Sequence, residues 1–222
     1  LHETLGISNR EDLIDVLEKG KLEGIKGFGE KKIENMKRSL KLFKEPQRML
    51  LSAAEKMGNE ILSELRKIPA VEKAELAGRL RQKKETVGDI DIIVQADSKN
   101  RKKIIGKFIA LPIVEKVLAK GTTKASVILK QANVQVDIRL VHDYEYGAAL
   151  LYFTGSKEHN IKLRSIARNR GYKINEYGLF DIVTGKQLAG ATEEEMYRFL
   201  HMKFIPPEKR LDKSEIENAM MK

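Results

Sequence analysis

Two aspartates interrupt an apolar segment near the middle of the chain. The segment reads GDIDIIV (88–94), and its branched apolar residues are typical of a β-strand. Residues two apart in a strand point to the same face, so the carboxylates of Asp89 and Asp91 would lie side by side and repel each other. Such a pattern is also common at exposed strand ends, so its interpretation depends on the rest of the chain.

A third aspartate, Asp137, stands in a similar apolar segment, VQVDIRLV (134–141). If this strand lies beside the first, Asp137 joins Asp89 and Asp91 on one face of the sheet. Three adjacent carboxylates need counter-charge, and Mg²⁺ binds one or two carboxylates together with substrate phosphates. Two ions about 3.5–4 Å apart can bind both the attacking and the leaving oxygen of a phosphoryl displacement. We therefore predict two Mg²⁺ ions, with Mn²⁺ as an alternative, at these aspartates.

The composition restricts the sites and partners that the chain can have. Its 222 residues include no cysteine, which excludes disulfides and thiolate metal sites. The formal net charge of +10 indicates an anionic partner, most often nucleic acid, although a Lys-rich protein from a thermophile has a similar composition. No apolar run reaches the roughly 18 residues of a membrane helix and no signal peptide is recognisable, so no membrane partner is expected.

The spacing of apolar residues predicts an α+β fold. Helices are expected at 8–22, within 25–43, from Pro46 to about Arg66, at about 99–108, at 158–171 and at 193–202. Strands are expected at 71–78, 90–94, 114–120, 125–130 and 134–141. Helices followed by strands in this order favour a mixed or antiparallel sheet.

Five motifs, in chain order, resemble those of the family X DNA polymerases. IKGFG (25–29) is similar to a helix-hairpin-helix turn, and AGRLRQKKETVGDIDIIV (77–94) to a Gly-Ser-x-Arg-Arg turn followed by Gly-Asp-x-Asp. VQVDIRL resembles the family's strand with the third aspartate. YFTGSKEHNIKLR (152–164) and GYKINEYGLF (171–180) resemble its nucleotide-binding turn and C-terminal subdomain. The resemblance covers essentially the whole chain and is closest to bacterial and archaeal members.

This resemblance implies a nucleotidyltransferase-type fold with three parts. A helical helix-hairpin-helix module that binds duplex DNA is expected at 1–45, and a palm catalytic domain with a mixed β-sheet at 46–143. A C-terminal α+β subdomain that selects the nucleotide is expected at 144–222. The chain is expected to lack the N-terminal lyase domain and the C-terminal phosphoesterase domain of its relatives.

The activity implied is that of a template-directed DNA polymerase of the gap-filling repair type. It adds a dNMP to a primer 3′-hydroxyl by two-metal-ion nucleotidyl transfer and releases pyrophosphate. The expected partners are gapped or primed duplex DNA and a dNTP, and the protein is expected to be a monomer in a prokaryotic cytoplasm, associated with the nucleoid. Two alternatives stay open: a template-independent nucleotidyltransferase, and a non-catalytic remnant that binds gapped or nicked DNA.

The resemblance also assigns site residues by position. Catalysis and metal binding would belong to Asp89, Asp91 and Asp137. Nucleotide binding would belong to Gly78, Arg79, Gln82, Gly88, Tyr152, Phe153, Gly155, Ser156, Lys157 and Asn160. DNA binding would belong to Ile25, Gly27, Gly29, Lys31 and Arg164, with a monovalent cation at the hairpin.

Three positions depart from the family's pattern. Arg79 replaces the family's serine, Gln82 replaces an arginine that contacts the triphosphate, and Gln135 replaces an arginine that relatives often carry beside the metal site. A glutamine side chain lacks the charge and the bidentate geometry of a guanidinium. Arg79, Lys83 or Lys84 could supply the missing charge. The departures otherwise predict weak dNTP binding, an altered nucleotide preference or a damaged enzyme.

Overall fold

The computed structural model describes residues 10–25, 27–42, 48–131, 133–211 and 214–221. These residues belong to two compact units, one within residues 1–46 and the other within 47–222. None of the described helices is long and apolar enough to cross a membrane.

The first unit contains two helices joined by a glycine-rich turn. Helix α1 is Arg10–Glu18 and helix α2 is Glu30–Leu42. Apolar residues of both helices and of the turn form one buried cluster: Val16, Leu17, Leu22 and Ile33. Helices are therefore confirmed in both predicted segments, while the assignment of this unit as a helix-hairpin-helix stays a prediction.

A five-stranded mixed sheet forms the centre of the second unit. Its strands are β2 (Lys73–Leu76), β4 (Asp89–Gln95), β5 (Val114–Lys120), β6 (Lys124–Leu129) and β7 (Gln135–Val141). Their spatial order is β2-β4-β7-β6-β5, in which β4 and β7 are parallel and every other neighbouring pair is antiparallel. The mixed sheet confirms the predicted α+β class.

One face of this sheet is covered by two helices, α3 (Leu51–Arg66) and α5 (Ser98–Ile109). Their apolar residues pack in one core with alternate residues of the central strands, such as Ile90, Ile92 and Ile138. Because side chains alternate between the faces of a strand, the residues between them point to the opposite face. The apolar pattern of the strands thus places the aspartates away from the main core.

The third predicted helix begins later than the sequence suggested. Pro46 lies outside the described residues, and strand β1 (Met49–Leu50) precedes α3. β1 pairs with β3 (Thr86–Val87), which leads into β4. The prediction of a helix over Met49 and Leu50 was wrong because hydrogen bonding to a distant strand outweighs their helical apolar spacing.

The rest of the second unit begins with helices α6 (Tyr146–Thr154) and α7 (Lys157–Asn169). A three-stranded antiparallel sheet follows, made of β8 (Tyr172–Asn175), β9 (Gly178–Asp181) and β10 (Gln187–Ala189). Helices α8 (Glu193–Phe199) and α9 (Glu215–Ala219) close this part around a second apolar core. The helices predicted at 158–171 and 193–202 are confirmed as α7 and α8. The division into 46–143 and 144–222 stays a prediction.

Candidate active site

The sheet brings the three aspartates together on one face. Asp91 of β4 is paired with Asp137 of β7 in the parallel register, and Asp89 lies two residues before Asp91 on the same strand. Adjacent strands lie about 4.8 Å apart, so the three carboxylates are neighbours. Their juxtaposition follows from the spacing in the sequence, provided that the two strands are adjacent, and in the structure they are.

The pKa of Asp91 is strongly affected by this arrangement. Burial first, and then the neighbouring charges of Asp89 and Asp137, together raise the pKa of Asp91 to about 7. The guanidinium of Arg139, two residues after Asp137 on β7, acts in the opposite direction. The face therefore holds more negative charge than its protein surroundings neutralise.

Asp137 is held by two uncharged donors. The hydroxyl of Ser126 on β6 donates a hydrogen bond to Oδ1 of Asp137, and the amide Nε2 of Gln135 donates to Oδ2 at 2.8 Å. Within the described parts of the chain, no three His, Cys, Asp or Glu side chains are already arranged to hold one metal ion. The carboxylates are close neighbours, and both oxygens of Asp137 already accept hydrogen bonds.

A one-turn helix, α4 (Gly78–Arg81), passes directly beside Asp91. Gly78 has a φ of +58°, and a Cβ at this position would lie 2.5 Å from Oδ2 of Asp91. The backbone N–H of Ala77 also donates to the carbonyl of Asp91 at 2.8 Å. Only glycine lets the turn lie this close to the carboxylate in this conformation.

A cleft of about 610 Å³ opens beside the carboxylates and contains most of the predicted site residues. Its predicted lining residues are Gly78, Arg79, Gln82, Asp89, Asp91, Tyr152, Phe153, Gly155, Ser156, Lys157, Asn160 and Arg164. Further lining residues are Lys84, Thr154, Glu158, Arg210 and Leu211. Gly88 and Asp137 are not among the lining residues.

The cations near α4 have different surroundings. Arg79 lines the cleft, and its Nε donates to the carbonyl of Thr86 at 3.1 Å, the one hydrogen bond that the described residues give its side chain. Lys84 also lines the cleft. Lys83 instead forms an ion pair with Glu55 on α3. Of the three cations that could replace the missing charge, Arg79 and Lys84 line the cleft and Lys83 does not.

Gln82 is buried and turned toward the C-terminal part of the chain. Its Nε2 donates to the carbonyl of Arg210 at 3.4 Å, and Arg210 is fully buried. No sequence motif pointed to Arg210, which stands alone in a loop far along the chain. Its Nη2 has no hydrogen-bond partner among the residues that the structure describes.

Glu193 connects α4 to the C-terminal part through a buried ion pair. Arg81 donates to both of its carboxylate oxygens, at 2.9 and 2.7 Å, and Nη1 of Arg210 donates to Oε1 at 2.9 Å. Burial alone would raise the pKa of Glu193, but hydrogen bonds and charge from Arg81 and Arg210 outweigh it and hold that pKa below its ordinary value. This bridge fixes one side of the cleft relative to the other.

The end of α6 and the start of α7 form the opposite wall of the cleft. Ser156 caps α7, its hydroxyl accepting from the backbone N–H of His159 at 3.2 Å. Nδ2 of Asn160 donates to the carbonyl of Tyr152 at 2.8 Å. Tyr152 and Phe153 pack edge to face, with ring centroids 5.0 Å apart. These contacts hold the predicted nucleotide-binding turn in a defined shape.

His159 anchors α7 from behind, and sequence reasoning gave it no role. It is fully buried, with Nε2 2.7 Å from the hydroxyl of Tyr197 and Nδ1 3.0 Å from Oε1 of Glu215. The partners lie on α8 and α9, so this contact joins three helices. Only the three-dimensional packing could identify it, because the partners are distant in sequence.

The turn of the first unit has a cavity of its own, about 720 Å³ in volume. Ile25, Gly27 and Gly29 line it, as does Lys37, whereas Lys31 is exposed and does not. Gly27 has a φ of +92°, which requires glycine or strain.

Known proteins resemble this chain over most of its length. The family model described as DNA polymerase beta thumb matches residues 149–211. The chain is 36% identical over 219 residues to the DNA polymerase/3'-5' exonuclease PolX of Bacillus subtilis (strain 168), covering 98% of this chain and 38% of that protein. Repair DNA polymerase X of African swine fever virus (isolate Tick/South Africa/Pretoriuskop Pr4/1996) is 28% identical over 137 residues, 60% of this chain and 79% of that protein.

The mixed α+β architecture, with its carboxylates on an open face of the sheet, is consistent with the class of proteins that have a DNA polymerase β-like fold. The chain belongs to the family X DNA polymerases. It spans 38% of the length of the bacterial relative.

Proposed function

We propose that the chain is a template-directed DNA polymerase of the gap-filling repair type. The observation that carries this proposal is the row of Asp91 and Asp137, with Asp89 beside it, next to a cleft that contains Arg79 and Lys84. Carboxylates beside cations suit a reaction between a primer hydroxyl and a nucleoside triphosphate. The names of the bacterial and viral relatives support the same activity.

The reaction joins the primer 3′-hydroxyl to the α-phosphate of a dNTP, and the bond to pyrophosphate breaks. The chain's contribution is to position the two reactants and to stabilise charge, as is general for phosphoryl transfer. Asp137 lies beside the primer terminus and accepts the proton of the hydroxyl. Gly78 lets the backbone turn approach the triphosphate.

Divalent metal ions fit the chemistry of this site. Three carboxylates supply hard oxygen donors, which Mg²⁺ and Mn²⁺ prefer, and their adjacency concentrates negative charge that a cation neutralises. Asp89, Asp91 and Asp137 would hold these ions. When bound, such ions lower the pKa of the primer hydroxyl and stabilise the charge of the triphosphate.

Arg79 supplies the guanidinium that Gln82 lacks. The side chain of Gln82 is buried and bonded to the carbonyl of Arg210, and Lys83 is paired with Glu55. Arg79 lines the cleft, and the described residues bind its side chain through Nε alone, so both terminal nitrogens are available for phosphate oxygens. Residues 79 and 82 are three apart and therefore lie on the same face of the helical turn. A guanidinium at position 79 is thus on the same side as one at position 82 would be.

The wall formed by α6 and α7 selects the nucleotide. Tyr152 and Phe153 lie where the sugar would bind and exclude a ribose 2′-hydroxyl. Gly155, Ser156 and Lys157 shape the pocket near the incoming base. A further pair of side chains on α7 reads the minor-groove edge of the new pair and the template: Asn160 and Arg164. A role for a template is supported because these side chains share one face of α7 and line the same cleft.

The first unit binds the DNA backbone without reading its sequence. Its cavity is lined by glycines of the turn and by Lys37, together with the carboxylates of Glu23, Glu30 and Glu34. It lies at the start of α2, where backbone N–H groups favour anions. The proposed ligand is a phosphate of the duplex, with a monovalent cation bound to turn carbonyls. The expected substrates are gapped or primed duplex DNA and a dNTP, handled by a monomer.

Primer extension on a duplex with a one-nucleotide gap tests this function. Each of the four templating bases is offered with Mg²⁺ or Mn²⁺ and with dNTPs or NTPs. Addition of the complementary dNMP alone supports the proposal. Addition to a single-stranded primer favours the template-independent alternative, and gap binding without extension favours the non-catalytic one.

A further inference from the structure

A serine faces the third aspartate from the next strand of the sheet. β6 and β7 are antiparallel, and Ser126 is paired directly with Asp137. Directly paired residues present their side chains on the same face, so the serine hydroxyl continues the row that contains Asp91 and Asp137. This hydroxyl donates a hydrogen bond to Oδ1 of Asp137.

The second oxygen of Asp137 is held along its own strand. Nε2 of Gln135, two residues earlier on the same face, donates to Oδ2 at 2.8 Å. With both oxygens bonded, the carboxyl group of Asp137 has one preferred orientation. A carboxylate has about four lone-pair sites, so two hydrogen bonds leave the others for a cation.

The neighbours of Asp137 make this orientation necessary. Asp91 lies on the adjacent strand, and repulsion between the two carboxylates favours rotation of Asp137 away from it. The hydroxyl of Ser126 lies on that far side, where it binds Oδ1 and fixes the carboxyl group in the rotated position. An uncharged donor does this without supplying a positive charge that would compete with a metal ion. Ser126 lies on the far side because β6 follows β7 in the order of the sheet.

We propose that Ser126 is a positioning residue that orients Asp137 for metal binding, an inference that rests on the proposed polymerase function. The hydroxyl has no role in the core. The residues on either side of it, Ala125 and Val127, are buried members of the main cluster, whereas Ser126 points to the opposite face. Its removal therefore leaves the packing of the sheet intact.

Binding of Mn²⁺ measures this role apart from turnover. The ion is titrated into the chain in the presence of a gapped duplex with a 3′-dideoxy primer and the complementary dNTP, and free Mn²⁺ is followed by electron paramagnetic resonance. Ser126→Ala is expected to lower the Mn²⁺ affinity about tenfold, the usual scale for loss of a group that orients a metal ligand. In extension assays, kcat falls by a similar factor while KM for the dNTP stays near the wild-type value.

Two further variants distinguish orientation from a general structural effect. Ser126→Thr keeps the hydroxyl and is expected to restore most of the Mn²⁺ affinity, and Ser52→Ala removes an exposed serine of α3 and is expected to change nothing. Thermal melting confirms that each variant is folded.

Wild-type affinity in Ser126→Ala, or a Thr variant as weak as the Ala variant, would overturn the role of Ser126 while leaving the polymerase proposal standing. A wild-type chain that neither binds Mn²⁺ nor extends the primer contradicts both.

Discussion

Gly78 stands where the turn after β2 passes closest to the carboxylates. Its left-handed φ of +58° and the 2.5 Å separation between a Cβ and Oδ2 of Asp91 are two independent reasons for glycine. The sequence suggested that glycine here serves the triphosphate, and the structure adds a contact with a carboxylate. Residue 78 therefore affects both the conformation of the turn and the position of Asp91.

The Gly78→Ala variant is expected to fold but to extend the primer slowly. The left-handed conformation costs about 1–2 kcal/mol of unfolding free energy for a non-glycine residue. A displaced carboxylate is expected to slow extension about 100-fold, since misplacement of a reacting group by about 1 Å has effects of this size. Gly106→Ala is the matched control, because a Cβ there meets nothing within 4 Å. A Gly78→Ala enzyme with wild-type kcat would contradict this account.

Arg79→Ser is expected to raise KM for the dNTP about 10- to 100-fold, because a hydrogen bond to a charged group contributes about 1.5–3 kcal/mol. Adding Gln82→Arg to this variant returns a guanidinium to the same turn and is expected to restore part of the loss. Steady-state kinetics with varied dNTP on gapped DNA measures both effects. If Arg79→Ser leaves KM unchanged while Lys84→Ala raises it, Lys84 is the residue that binds the triphosphate.

Single residues differ in how far the sequence could identify them. The aspartates and Gly78 stand in local motifs, so their types and spacing were enough to predict them as site residues, an assignment that stays a prediction. Ser126 could not be found, because its role depends on which residue of β7 it faces, and register is a long-range property. Arg210 and His159 likewise act through partners on distant elements.

At the scale of elements, alternation in the central strands determines what faces the cleft. Ile90 and Ile92 are fully buried against helices, and this fixes Asp89 and Asp91 on the other face. The five strands of the central sheet and most helices were therefore predictable from apolar periodicity. The short pairing of β1 with β3 was not, because two-residue strands carry no periodic signal.

The buried bridge from Arg81 through Glu193 to Arg210 is expected to make the free energy of unfolding depend on pH in the acid range. Because the pKa of Glu193 is lowered in the folded state, its contribution to stability is present above the ordinary Glu pKa of about 4.3. That contribution is lost as pH falls through the lower, folded-state value. Glu193→Gln is expected to reduce the unfolding free energy near neutral pH by about 3–5 kcal/mol, the usual effect of breaking a buried pair.

Urea unfolding of wild type and Glu193→Gln as a function of pH checks this prediction. The difference between the two proteins is expected to be constant at neutral pH and to shrink in acid. Glu194→Gln, at the next position of α8 and exposed, is the control. A difference that stays constant down to strongly acidic pH would show that the charge of Glu193 is not what stabilises the bridge.

At the scale of the whole molecule, the excess of 42 Lys and Arg over 32 Asp and Glu supports binding to a polyanion. Binding of a gapped duplex is expected to weaken linearly in a plot of log affinity against log salt concentration, with a slope of about −0.9 for each phosphate contacted. Lys37→Ala, at the cavity of the first unit, is expected to make this slope shallower by about 0.9. Fluorescence anisotropy of labelled DNA over a range of salt concentrations measures it.

Lys19 provides the comparison for Lys37 within the same unit. It is exposed, just beyond the end of α1, and forms an ion pair with Asp15 of that helix at 2.6 Å, so Lys19→Ala is expected to leave the slope unchanged. Equal slopes for wild type and Lys37→Ala would contradict a phosphate contact at this cavity.

The most direct test of the central claim is single-turnover extension of a one-nucleotide gap by wild type, Asp137→Asn and Asp97→Asn. Asp97 is an exposed aspartate just beyond the end of β4, outside the cleft, and controls for the loss of one negative charge. The account predicts that wild type and Asp97→Asn add only the dNMP complementary to the template, and that Asp137→Asn loses this activity while binding the gapped duplex normally. Extension by Asp137→Asn at the wild-type rate, or none by the wild type, would contradict the assignment of catalysis to the three aspartates.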